Sequence, residues 1–91
     1  KNEMRQYLIF IQEGGIKLNM PMALFRDQFY EVEMSDNQLQ NVQECHPIST
    51  RKILGKTLLM FEGQDKESLE RFGPVHSPSI ADVFIAKMGQ Q

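Results

Sequence analysis

The stretch that most constrains the fold is residues 46–61, HPISTRKILGKTLLMF. His46-Pro47 ends any helix that precedes it, because proline pushes the residue before it out of the α region. Residues 48–54 and 57–61 then read as two strands about Gly55-Lys56, a two-residue loop with glycine in the first central position, as a type II′ hairpin turn prefers. Leu58 and Met60 fall on one face of the second strand and Leu59 and Phe61 on the other, so that strand is expected to be central and covered on both faces. The hairpin carries Arg51, Lys52 and Lys56 and no acid, which gives it the form of a basic wing.

Upstream, Met4, Tyr7, Leu8 and Ile11 recur at i, i+3, i+4 and i+7, which predicts a helix over residues 2–13 stopped by Gly14-Gly15. Residues 16–18 alternate apolar and polar over a short span and could add an edge strand to a hairpin elsewhere. Asn19 as a cap, Pro21 in the first turn, and Met22, Phe25 and Phe29 at helical spacing predict a second helix over 20–31. Ser35 with Gln38 has the form of a capping box, opening a third helix over 35–45 with Leu39 and Val42 inward. The loop between the second and third helices is short, so they pack as neighbours, as in a helix-turn-helix. Downstream, residues 64–72 form one or two charged helical turns, residues 73–79 form a loop, and Ser77-Pro78 opens a last helix ending at Gly89. The expected fold is α+β: a winged helix-turn-helix with a three-helix core, a β-hairpin wing and an extra C-terminal helix.

Ninety-one residues make one domain, and 41% hydrophobic with 24% charged residues is a folding composition. Starting at Lys1, the chain is expected to be a single winged-helix domain, residues 1–91, taken from a larger protein. Its longest apolar runs, residues 7–11 and 58–61, fall well short of the ~18–20 residues of a membrane span. The single cysteine, Cys45, excludes an internal disulfide framework, and two distant histidines exclude the paired-ligand spacing of structural zinc. A reducing cytoplasm or nucleus is the expected location. With a net charge of −2 the domain lacks a general electropositive field, so any phosphate contact concentrates at Arg51, Lys52 and Lys56.

These three cations could neutralise phosphates, although lysines on a solvated edge also guard against strand aggregation. In the third helix Asn37, Gln38 and Asn41 offer amides that can pair with adenine edges, but Asp36 and Glu44 beside them repel phosphates, so a polar face or a protein-docking face fits the same residues. His46 and His76 read as loop histidines, and Cys45 as a half-buried structural thiol. GKT at residues 55–57 resembles the tail of a phosphate-binding loop, but the first glycine of that motif would fall at Thr50. No nucleophile, base and orienting group fall in a recognisable arrangement, so the domain is expected not to be an enzyme and to need no cofactor, metal or small-molecule substrate.

Gly15-Ile16-Lys17-Leu18, followed by Met22, Phe25 and Phe29, a short polar helix and a hairpin, resembles a winged-helix domain of the LOTUS (OST-HTH) family. That resemblance implies an additional helix after the wing, matched by residues 80–88, and a role in docking a DEAD-box RNA helicase or binding RNA. The functional expectation is a non-catalytic module that binds DNA or RNA within a larger regulatory protein through Arg51, Lys52, Lys56, Asn37, Gln38 and Asn41. The alternative is a protein-docking module, binding an RNA helicase or another assembly partner through apolar anchors at Phe25 and Phe84.

Overall fold

The computed structural model describes residues 6–35 and 46–89. Its elements are β1 (Tyr7–Gln12), β2 (Gly15–Pro21), α1 (Met22–Gln28), β3 (Phe29–Met34), β4 (Ser49–Ile53), β5 (Lys56–Glu62), α2 (Lys66–Glu70), β6 (Val75–His76) and α3 (Ile80–Gly89). β1 and β2 form a two-stranded antiparallel hairpin, and the other strands form an antiparallel sheet in the order β4-β5-β3-β6. The fold is α+β but rich in strand, and the three-helix core of a winged helix-turn-helix is not what the chain builds.

The first correction is the helix over 2–13. Residues 7–12 are strand β1, and the glycines that would have stopped a helix instead turn the chain back. Glu13 and Gly14, at φ 52° and 78°, sit in the left-handed region that a two-residue type I′ turn requires at both central positions. The apolar run YLIFI fits either period. Phe10 decides it: in a strand Phe10 points inward with Leu8, opposite Leu18 and Met20, whereas the helical stripe would have left Phe10 outside. Residues 16–18 pair with this hairpin, not with the later one, and Asn19 lies opposite Ile9 in β2 instead of capping a helix.

The second correction is the helix over 20–31. It spans Met22–Gln28 with Pro21 as N-cap, and Phe29 returns to extended backbone at φ −123°, ψ 131°. FYEVEM then runs as β3, with Phe29, Glu31 and Glu33 on one face and Tyr30, Val32 and Met34 on the other. The third helix expected over 35–45, with its Asn37, Gln38 and Asn41, lies outside the described residues from 36 onward.

The later hairpin is present, with its turn one residue earlier than the sequence predicts. Leu54 and Gly55, at φ 44° and 83°, are the central residues, and Ile53 closes on Lys56. Glycine thus takes the second central position of a type I′ turn, not the first of a II′ turn. β5 lies between β4 and β3 and is buried on both faces, as the Leu58/Met60 and Leu59/Phe61 alternation implies. On one face Phe29 and Met60 pack with Phe10 and Leu18 of the hairpin, Phe25 of α1 and Val83 and Ala86 of α3. On the other face Val32, Met34, Leu59 and Phe61 pack with Leu69 of α2.

The charged segment forms one turn, α2, and the following loop contains β6, whose Val75 and His76 pair with Val32 and Glu31. Gly73 permits this docking: its φ is 153°, and a Cβ there would collide with the carbonyl oxygen of Glu33. α3 starts at Ile80, where Ser79 rather than Ser77 acts as cap, its hydroxyl accepting the Asp82 N–H at 3.0 Å. Among the described residues no helix is long and apolar enough to cross a membrane.

Candidate functional site

The alternation of β3 places Glu31 on the same sheet face as Phe29 and Met60, and its side chain is only 1% exposed. An isolated carboxylate there would cost several kcal/mol, on the order of the effective penalty for burying one ion, so it must be paired. Arg51 of β4, on the same face two strands away, supplies a fork: Nε donates to Oε2 at 3.3 Å and Nη2 to Oε1 at 3.2 Å. Nη2 also donates to Oδ2 of Asp82 on α3 at 3.4 Å. From the other side His76 Nε2 lies 3.0 Å from Glu31 Oε1. A carboxylate oxygen accepts, so in this contact the ring donates in the tautomer that carries its proton on Nε2.

This network ties β3, β4, β6 and α3 together. Hydrogen bonding to Glu31, assisted by the charges of Glu31 and Asp82 and opposed by desolvation, holds the Arg51 guanidinium above the ordinary arginine value. Arg51 bridges two carboxylates and Glu31 meets two side chains, so the group acts as a clamp. Among the described residues no cluster of histidine, cysteine and acidic side chains could hold a metal ion, and no buried side-chain polar atom lacks a partner.

Beside the clamp, between β4 and α3, runs an open groove of about 350 Å³ lined by Ile48, Arg51, Met60, Asp82, Ile85 and Ala86, among others. β4 forms the outer edge of the sheet, and among the described residues no strand lies beyond it. Because Ile53 and Lys56 close a two-residue turn, they exchange both backbone hydrogen bonds, and alternation gives Arg51 and Ser49 the same role. The N–H and C=O groups of Thr50 and Lys52 therefore face outward.

The sequence-predicted site residues separate in the structure. Arg51 is engaged by Glu31 and Asp82, and Lys56 Nζ lies 2.8 Å from Glu33 Oε2. Lys52 lies on the opposite face of β4, exposed. Phe25 is buried in the core, and Phe84 is half-buried, edge-to-face with Phe10 at 4.9 Å and 85°. The residues that sequence reasoning passed over are Glu31, His76 and Asp82. With Glu31 assigned to a helix end and His76 to a loop, nothing linked positions 45 residues apart. Alternation in FYEVEM signals a strand with Tyr30, Val32 and Met34 on its apolar face, but it sets Glu31 with Glu33 on the polar one, so the burial of Glu31 carries no sequence signal.

No protein-family model, curated protein or solved structure matches this chain.

Proposed function

We propose that this domain is a non-catalytic protein-docking module that takes an extended segment of a partner as an additional strand on the free edge of β4. The observation that carries this reading is the outward-facing backbone of Thr50 and Lys52 alongside a groove with an apolar floor. In β-strand addition the main chain supplies affinity and alternate side chains supply specificity. Side chains of the incoming strand on the groove side meet Ile48, Met60, Ile85 and Ala86, and those on the other side meet Lys52. The partner is therefore a segment alternating apolar and acidic residues. A second copy of this chain is a poor occupant, since the exposed Lys52 finds no acid on a β4 strand set against it, and edge lysines are a familiar guard against such pairing.

The nucleic-acid reading loses its electrostatic footing. Arg51 and Lys56 already neutralise carboxylates, so of the three wing cations Lys52 alone is left to release counterions from a phosphate, and the log-log salt slope falls toward about −1.

Screening the domain against a displayed library of extended peptides alternating apolar and acidic residues tests the proposal, with amide spectra mapping the best ligand. The expected result is shifted and exchange-protected Thr50 and Lys52 amides, with affinity reduced at least about tenfold in Lys52→Glu and in Ile85→Glu. Perturbations confined to other elements would sink it. So would salt-sensitive binding of duplex DNA or single-stranded RNA that displaces the peptide.

A further inference from the structure

The hairpin β1–β2 presents its inner face, Phe10 and Leu18, to the core and its outer face to solvent. On the outer face Tyr7, Ile9, Ile11 and Ile16 are between 50% and 63% exposed. The register places them together: Ile11 is opposite Ile16, Ile9 opposite Asn19 and Tyr7 opposite Pro21. Together they leave about 400 Å² of apolar surface on one small sheet face, within the roughly 300–600 Å² of the largest, often functional, patch of a monomer. Soluble two-stranded sheets with one solvated face normally set polar residues there, in alternation with the apolar inner face. Here β1 is apolar on both faces, although among the described residues nothing covers the outer one.

We infer that this outer face is a self-association surface, occupied by the same face of a second copy of the chain. Charge selects the occupant. Two-fold pairing sets a patch against itself, so a charged patch repels its copy while a neutral apolar one is complementary to it. Tyr7, Ile9, Ile11, Ile16, Asn19 and Pro21 carry no charge, and among the described residues the ionisable groups within the hairpin, Glu13 in the turn and Lys17 at the bulge, lie at one end of it. Area sets the strength. Two such faces bury about 800 Å² from the apolar residues alone and approach about 1,000 Å² with their polar rim, the lower bound for a specific but transient interface. An interface of this size belongs to the transient class, so the dimer is expected to dissociate on dilution.

Sedimentation velocity of the full chain over about a hundredfold range of concentration tests this, because a dimer of this strength dissociates by mass action within the range. The expected result is a shift from monomer to dimer. Ile9→Glu stays monomeric at the highest concentration, whereas Leu54→Glu, at the most exposed apolar side chain outside the hairpin, dimerises like the parent. If Ile9→Glu loses the native amide spectrum, Ile9→Thr, which suits a strand but removes apolar area, is expected to weaken dimerisation at least about tenfold. A monomer at every concentration overturns the inference. So does a dimer that natively folded variants at Ile9 leave unchanged.

Discussion

The two hairpins, β1–β2 and β4–β5, turn in the same way and end in different places. Each is closed by a non-glycine residue followed by glycine, both at positive φ: Glu13-Gly14 and Leu54-Gly55. β5 gains a second partner in β3 and is buried from Thr57 to Phe61, whereas among the described residues neither β1 nor β2 pairs with a further strand. A turn therefore decides which strands pair, and the neighbours beyond the pair decide what is buried. The largest test of this difference is Phe61→Ala against Ile9→Ala, read by urea unfolding at low protein concentration. Phe61 is buried between β5 and α2, and its loss is expected to cost about 3–5 kcal/mol. Ile9→Ala is expected to cost about 0.5 kcal/mol or less in the monomer, as for an ordinary surface change. Similar costs at the two positions would mean that the outer face of β1 is packed in solution.

The next effect belongs to the β4–β5 hairpin alone, through the clamp. Arg51→Ala leaves Glu31 buried with His76 as its remaining partner. Breaking a buried pair costs about 3–5 kcal/mol, but Arg51 is 44% exposed and water already screens it, so about 2–3 kcal/mol is expected. Because the folded guanidinium lies above its ordinary value, its contribution is complete at neutral pH and is lost only as pH rises through that raised value in strong alkali. A stability profile of the parent between mildly acidic and mildly alkaline pH should show no step from this group. Arg51→Lys should recover only part of the loss, since an ammonium cannot reproduce the two-pronged fork.

The contrast also separates what could be read in the chain from what could not. The β4–β5 hairpin was legible because LLMF is a short apolar run, glycine marks the turn before it, and proline closes off the preceding segment. α3 was legible from Ile80, Val83 and Phe84 and its terminal glycine. The β1–β2 hairpin was not, because five consecutive apolar residues satisfy a period of 2 and a period of 3.6 alike, and Gly14-Gly15 suits both a helix stop and a turn. β3 was hidden for a related reason: Phe25 and Phe29 share a helical spacing, yet Phe29 is the first residue of a strand. The clamp joins Glu31, Arg51, His76 and Asp82 from four separate elements, β3, β4, β6 and α3, and only the tertiary fold brings them together. With Arg51 held by that clamp and Lys56 beside Glu33, a basic count along the sequence did not show which of the cations face carboxylates of the same chain.

Smaller effects come from the turns. Leu54 at φ 44° and Glu13 at φ 52° both occupy a region that favours asparagine over a residue with a longer side chain. Leu54→Asn and Glu13→Asn are each expected to relieve about 0.5–1 kcal/mol of local strain. They should differ in where the gain is felt. β5 lies in the middle of the four-stranded sheet, so Leu54→Asn should raise the global unfolding midpoint. Neither β1 nor β2 pairs with a further strand among the described residues, so local opening of the hairpin is expected and Glu13→Asn should slow amide exchange within residues 7–21 more than it raises that midpoint. If both variants move the midpoint equally, the two hairpins unfold as one unit.

The smallest effect is at Lys56, whose ammonium reaches diagonally across β5 and β3 to Glu33 at 2.8 Å. The two side chains are 62% and 34% exposed, so water screens the pair and most of its Coulomb energy is offset by the entropy of holding both chains. Lys56→Ala is expected to cost about 0.2–0.5 kcal/mol at low salt and less at high salt, where the Debye length falls below the pair's distance to bulk ions. Lys17, at the bulge of the other hairpin, is also exposed, but no acid lies across from it in the register. Lys17→Ala should therefore show no salt-dependent change, and the difference between the two variants isolates the exposed Lys56–Glu33 pair. A cost at Lys56 that persists at high salt would place the origin in packing of its methylene stem against Leu58 and Ile53, neighbours that line the same surface, instead of in charge.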